Sequence, residues 1–174
     1  MKLDIGCGHN PQGDVNIDPF PSASSHRSGD QRLVDDHPLL TKEIPCFIMA
    51  FGEALPLRKR IFDEVYTSHT IEHSHNPQEF LREVCRVTNG GGTVTLSCPH
   101  RFAPYRKMRK LHVNYFDLKW FRTAFRTLGF KIIRHRRTLR GFPHPCISLI
   151  QLPIDIYLEA KRLIGEGARA HQVS

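Results

Sequence analysis

The 174-residue sequence lacks several features that mark whole classes of protein. No apolar run approaches the roughly 20 residues of a membrane-spanning helix, so an integral membrane protein is not expected. Lys2 is followed by Asp4 and Gly6 rather than by an apolar stretch, so no secretory signal is predicted. The five cysteines contain no C-x-x-C pair, which argues against a disulfide framework and a cysteine zinc site. We therefore expect a reducing, cytoplasmic location.

Acidic residues are nearly absent from one stretch of the chain. Of the 25 Lys and Arg residues and the 17 Asp and Glu residues, 13 basic residues and a single acid, Asp117, fall between positions 101 and 140. The rest of the chain holds 12 basic and 16 acidic residues. A basic segment on a mildly acidic body indicates an anionic partner such as nucleic acid, a phosphorylated substrate or an anionic membrane surface. A solvated face would give the same pattern.

Repeats are absent as well, and Gly and Pro separate short apolar runs. Asn76 followed by Pro77 and Glu79 predicts the start of a helix that ends before Asn89, and two further helices are predicted over Leu118–Leu128 and Ile154–Ile164. This alternation predicts a single α/β domain over residues 1–164, built on an open, mostly parallel sheet, and a polar tail at 165–174. The predicted strands are Lys2–Ile5, Val15–Ile17, Cys46–Ala50, Asp63–Thr67, Thr93–Ser97, Phe130–His135 and Cys146–Leu152.

The first predicted strand ends in the motif Asp4-Ile5-Gly6-Cys7-Gly8, whose glycines let a ligand approach the backbone. The dinucleotide fingerprint G-x-G-x-x-G is missing, because Pro11 stands where its third glycine would be. The short distance from Asp4 to Asp18 leaves no room for a crossover helix whose N-terminus could bind a pyrophosphate. A cofactor without phosphates, such as S-adenosylmethionine, fits this turn better than a dinucleotide.

Five motifs in order resemble those of the class I S-adenosylmethionine-dependent methyltransferases, in particular the small methyltransferase-type-11 group. They are LDIGCG at 3–8, NID at 16–18, GEALPL at 52–57, FDEVYTSHTIEH at 62–73 and LREVCRVTNGGG at 81–92. The resemblance covers roughly residues 3–135. It implies a Rossmann-like class I methyltransferase fold with a mostly parallel seven-stranded sheet, trimmed at the first crossover helix.

The resemblance also implies which residues bind the cofactor. Asp4 would orient the methionine moiety, the glycine-rich backbone would line it, and Asp18 would accept hydrogen bonds from the ribose hydroxyls. The segment after the third strand would lie along the adenine, and the end of the fourth strand would face the transferred methyl. The implied cofactor-binding residues are Asp4, Gly6, Cys7, Gly8, Asp18, Phe51, Gly52, Glu53, Ser68 and His69.

The sequence departs from the family pattern at three places. Asn10 occupies the position of the third glycine of the first motif. Phe51 stands just before Gly52, where the family often has an acid that contacts the adenine amine. The first crossover helix is missing. These departures leave open a degenerate fold that binds nucleic acid without catalysis.

Histidines supply the candidate chemistry. His69 and His100 follow strands at the expected cofactor edge, and either is a candidate general base because imidazole titrates near neutrality. Glu72 and His73 share a helical face with His69 and could hold a metal, with His75, His100 or His112 as a further ligand. The favoured interpretation is that this H-x-x-E-H turn only packs, so no metal is predicted.

The segment after the fifth strand is the candidate substrate-binding element. Basic residues interleave there with Phe102, Tyr105, Tyr115 and Phe116, a combination suited to phosphate contacts and base stacking, unless the aromatic residues are core. The candidate substrate-binding residues are Arg101, Arg106, Lys107, Arg109, Lys110 and His112.

Together these features predict an S-adenosylmethionine-dependent methyltransferase that acts on an anionic substrate, with RNA or a nucleotide-bearing molecule as the first candidate. A sugar or small-molecule O- or N-methyltransferase is the alternative within enzymes. A non-catalytic nucleic-acid-binding module is the alternative outside them. The sequence leaves a homo-oligomer open.

Overall fold

A seven-stranded sheet forms the body of the molecule, seen here in a computed structural model that describes residues 1–8, 10–20, 44–101, 112–141 and 151–164. Side chains at 137–141 and 151–154 are not among those described. The strands lie in the order β3-β2-β1-β4-β5-β7-β6. They are β1 (Lys2–Ile5), β2 (Val15–Asp18), β3 (Phe47–Met49), β4 (Phe62–Ser68), β5 (Thr88–Pro99), β6 (Phe130–Gly141) and β7 (Gln151–Arg162).

The first five strands run parallel, with β1 between β2 and β4 and with β5 beyond β4. Of the described strands, β7 alone runs the other way, between β5 and β6. No described residue between β1 and β2 is helical, which agrees with the predicted loss of the first crossover helix. The mostly parallel seven-stranded fold predicted from the sequence is therefore confirmed.

The predicted helix over Ile154–Ile164 is wrong, because these residues belong largely to β7. Ile156, Leu158 and Ala160 are buried while the residues between them are less so, which is the period-two pattern of a strand. The same apolar residues also fit a helical spacing. The antiparallel pairing with β5 and β6 decides between the two, and that pairing is non-local.

Two helices are described, α1 (Pro77–Val87) and α2 (Leu118–Thr127). The Asn76 side chain accepts a hydrogen bond from the Glu79 N–H at 3.1 Å, and Asp117 accepts one from Trp120 N–H at 2.9 Å, so both predicted N-caps are confirmed. In the described parts of the chain, no helix is long and apolar enough to cross a membrane. After α1 the chain enters β5 at Thr88, five residues earlier than predicted.

The core lies between the sheet and these helices. Phe121 and Phe125 of α2 are fully buried and pack with Phe116 and Phe130 in one aromatic cluster. Phe116 is thus a core residue that cannot stack on a base, whereas Tyr115 is half exposed. The predicted strand at Cys146–Leu152 lies mostly outside the described residues. The loop at 19–31 lies almost wholly outside them, and the tail at 165–174 lies wholly outside them.

Candidate active site

The residues predicted to form the site gather at one edge of the sheet. Strands β1 to β5 are parallel, so their carboxyl ends meet there, and this is where ligands bind in open α/β sheets. Asp18 ends β2 and Ser68 ends β4. The Gly6–Gly8 turn follows β1, Phe51–Glu53 follows β3, and His100 follows β5.

Two buried carboxylates hold the glycine-rich turn. Asp18 accepts hydrogen bonds from Gly8 N–H at 3.1 Å and from Phe20 N–H at 3.0 Å, one on each oxygen. Asp4 accepts one from Gln12 N–H at 2.8 Å. Burial, and to a smaller extent the nearby charge of Asp18, raises the pKa of Asp4 to about 6. The fold thus keeps a partly desolvated acid next to the turn.

Gly6 allows the turn after β4 to approach the turn after β1. Its φ is 75°, and a β-carbon there would lie 2.0 Å from Thr70 Oγ1. The Thr70 hydroxyl is within hydrogen-bonding distance of the carbonyl oxygens of Ile5 (3.3 Å) and Ser68 (3.1 Å). Any larger residue at position 6 would therefore push apart the two turns that carry the predicted cofactor residues.

The segment after β3 has a structural role that the sequence did not reveal. A β-carbon on Gly52 would lie 2.2 Å from the Phe80 ring, so glycine is needed there for packing against α1. One Glu53 oxygen accepts hydrogen bonds from Ser74 Oγ at 2.6 Å and from His75 N–H at 3.0 Å. Phe51 is 61% exposed. The adenine contacts implied for this segment stay a prediction.

His69 stands between β4 and a turn of 3-10 helix over Ile71–His73, with a left-handed φ of 51°. Its Nδ1 lies 3.5 Å from Glu72 Oε1, and this carboxylate raises the pKa of His69. A general base must be unprotonated, so the raised pKa moves that role of His69 to higher pH. Ser68 Oγ lies 2.7 Å from Ser97 Oγ.

A second group of polar side chains adjoins His69. Glu72, His73 and His112 each offer one ligand atom, and these atoms all lie within 4.8 Å of one another. Glu72 is 1% exposed, and in the described part of the chain neither of its carboxylate oxygens has a hydrogen-bond partner. Burial lowers the pKa of His112. Glu72 and His73 are absent from the residues predicted to bind cofactor or substrate.

The remaining predicted residues divide between described and undescribed parts of the chain. His100 follows the end of β5 and is 5% exposed. Its backbone forms an isolated parallel β-bridge with Phe116. Arg101 is exposed, and its guanidinium lies 3.2 Å from an Asp117 oxygen. The general-base role of His100 and the substrate contact of Arg101 stay predictions. Outside the described residues lie Arg106, Lys107, Arg109 and Lys110.

The edge fits the cofactor implied by the sequence motifs. Asp18 is a buried carboxylate at the end of β2, and a carboxylate at that place is the group that suits a ribose diol. Among the described residues, no atom lies within 4 Å of a β-carbon placed on Gly8. Cys7 is buried, and burial raises the pKa of its thiol to about 12, so it acts there as an apolar group.

Comparisons with known proteins agree with this geometry. Residues 15–96 match the family model of the methyltransferase domain. A search of curated protein sequences finds no match. Solved structures with the same fold include S-adenosylmethionine-dependent methyltransferases from three organisms. The one from Thermotoga maritima is 17% identical with a TM-score of 0.64, covering 92% of this chain and 81% of its own.

The enzyme from Mesorhizobium loti is 16% identical with a TM-score of 0.62, covering 92% of this chain and 90% of its own. The one from Methanosarcina mazei is 15% identical with a TM-score of 0.62, covering 94% and 92%. At these identities the structures show the fold alone, and the family model adds the methyltransferase motifs in sequence. Together they show that this chain has the fold of the class I S-adenosylmethionine-dependent methyltransferases and that residues 15–96 match a methyltransferase domain.

Proposed function

We propose that this methyltransferase acts on an anionic substrate in the cytoplasm, with RNA or a nucleotide-bearing molecule as the first candidate. The cofactor supplies an electrophilic methyl group. Asp18 holds the ribose end, Asp4 attracts the cationic methionine end, and His69 lies beside the acceptor. The residues of the chain align the cofactor with the acceptor and remove a proton from the acceptor.

The proposal of an anionic substrate is supported by the position of the residues that flank the basic segment 102–111. Arg101 N–H donates to the Phe116 carbonyl at 2.9 Å, next to the end of β5. After His112, the N–H groups of Val113 and Asn114 donate to the Glu72 carbonyl at 3.0 and 3.1 Å. Arg101 and His112, which flank the segment 102–111 with its four central Lys and Arg residues in sequence, therefore both lie at the site edge.

Calorimetric titration with S-adenosylmethionine tests the cofactor part. We expect micromolar binding, and Asp18→Ala should weaken it by about 1–3 kcal/mol, as expected for lost hydrogen bonds to a charged group. Asp14→Ala is the matched control, because Asp14 is an exposed carboxylate just before β2 that accepts the Lys2 N–H at 2.7 Å. Unchanged binding by the Asp18 variant would place the ribose elsewhere.

The salt dependence of RNA binding tests the substrate part. Alanine at Arg106, Lys107, Arg109 and Lys110 should flatten the slope of log affinity against log salt, since each lost phosphate contact lowers it by nearly one. The control replaces four exposed basic residues near the opposite edge: Arg58, Lys59, Arg60 and Lys161. Equal slopes for wild type and the first variant would contradict the proposal. Salt-independent turnover of an uncharged acceptor would favour a sugar or small-molecule methyltransferase.

A further inference from the structure

We propose that Glu72, His73 and His112 form a binding site for a divalent transition-metal ion. Their ligand atoms converge within 4.8 Å at the turn that follows β4. In a tetrahedral site, atoms about 2.0–2.1 Å from the ion lie about 3.4 Å from one another, so small side-chain rotations would close the cluster around one. The sequence had favoured a turn that only packs.

The buried carboxylate of Glu72 is the observation that supports a bound ion. Its carboxylate is 2% exposed, and among the described residues no donor has hydrogen-bond geometry to either oxygen. A buried charge without a partner costs several kcal/mol. His69 Nδ1, at 3.5 Å, is beyond an ordinary hydrogen bond, and the His69 side chain is 51% exposed, so it compensates only part of that cost.

The surrounding backbone holds the two elements of the cluster together. His112 precedes Val113 and Asn114, whose N–H groups both donate to the Glu72 carbonyl. The Asn114 side chain donates to the Ser74 carbonyl at 2.5 Å. The rings of His73 and His112 meet edge to face with centroids 5.0 Å apart. Residues far apart in sequence are thus fixed before any ion arrives, as in sites whose ligands are oriented by their surroundings.

The donor set indicates the kind of ion. Two imidazoles and one carboxylate suit ions of intermediate softness such as Zn²⁺ or Co²⁺ better than Mg²⁺ or Ca²⁺, which prefer oxygen ligands alone. Three protein ligands leave a coordination position open, as in metal sites that bind a substrate. Because His73 is exposed, this position is accessible from solvent at the methyl-transfer edge. An oxygen of the substrate would fill this coordination position. That role rests on the proposed function, whereas the metal site itself does not rest on it.

Cobalt titration of the chelator-treated protein tests the site without any enzymatic assay. We expect one equivalent of Co²⁺ to give visible d–d absorption, and Zn²⁺ to abolish it by competition. Glu72→Gln and His112→Asn should each weaken binding at least about tenfold. His135→Asn is the control, because His135 is an exposed histidine on β6, outside the cluster. Equal Co²⁺ affinity in wild type and Glu72→Gln would overturn the proposal, as would a wild-type protein that binds no Co²⁺.

The choice of variants separates a loss of metal binding from a loss of folding. Glu72→Gln removes a buried charge and keeps its shape, so it should fold at least as stably as wild type without metal. His112 is only partly buried, so its replacement provides a second variant if the first fails to fold. Calorimetry with S-adenosylmethionine runs in parallel. Cofactor binding without Co²⁺ binding refutes the metal site alone, and the reverse refutes the cofactor site alone.

Discussion

Asp4 offers a direct test of whether the candidate site is kept at the expense of stability. It is 2% exposed at the end of β1, and burial raises its pKa from the usual 3.8 to about 6. Each pKa unit corresponds to about 1.4 kcal/mol, so the folded state pays up to about 3 kcal/mol to hold Asp4 ionised at neutral pH. Replacing Asp4 by Asn removes this charge, and the amide oxygen can still accept from Gln12 N–H.

The sign of the effect follows from proton binding. Between pH 3.8 and about 6, the folded protein retains a proton on Asp4 that the unfolded chain has lost. Stability contributed by this proton is present below pH 3.8 and is lost as the pH rises through about 6. The stability of Asp4→Asn relative to wild type should therefore increase by about 2 kcal/mol between about pH 4.5 and about pH 8.

Urea unfolding at the two pH values measures this difference. The comparison cancels other titrating groups, including His69, and any constant cost of the new amide. Asp14→Asn is the control for removing a nearby carboxylate, since Asp14 lies between β1 and β2 and is exposed. A relative stability of Asp4→Asn that stays the same at both pH values would refute the reasoning. The same variant should bind S-adenosylmethionine more weakly if Asp4 attracts its cationic end.

Two further predictions test the packing that positions the site. Gly52→Ala should lower the free energy of unfolding in urea by about 1–3 kcal/mol, because its β-carbon would collide with the buried Phe80 ring. Gly90→Ala should not lower it, because no atom of the described residues lies within 4 Å of its β-carbon. Phe121→Ala should cost about 3–5 kcal/mol by leaving a cavity among the aromatic residues of α2, and Phe51→Ala, at an exposed ring, should change unfolding by less than about 1 kcal/mol. Equal unfolding midpoints within either pair would contradict the packing described here.

Local signals at the ends of helices and strands made most of the fold predictable. Pro77, the Asn76 cap and the glycines around β1 act within a few residues, and the structure places the first five strands and both described helices close to their predicted positions. The last strand was missed because its apolar spacing fits a helix and a strand equally. Its partner residues on β5, such as Leu96 opposite Leu158, are far away in sequence. Only that pairing shows which period applies.

The site was predictable in its position but less so in its contacts. The order of motifs predicts that Asp4, Asp18 and His69 lie at one edge, and in the structure β1, β2 and β4 run parallel toward the same edge. The partners of Glu53, at Ser74 and His75, are not visible in the sequence. Neither is the approach of His112 to Glu72, because it depends on how the chain returns after the basic segment.

Three costs to stability coincide at this edge. Asp4 is ionised at neutral pH despite its burial, Glu72 is buried with no hydrogen-bond partner among the described residues, and His69 adopts a left-handed φ that costs about 1–3 kcal/mol. At the amino end of β4, in contrast, Asp63 accepts from the Met1 ammonium at 2.6 Å and from Asn89 at 2.8 Å. Asn, Gln and Gly at the three costly positions would each relieve a cost without changing the fold. Asp4, Glu72 and His69 therefore lie together, at a cost to stability, at the carboxyl ends of two adjacent strands, where the proposed cofactor and metal sites would use them.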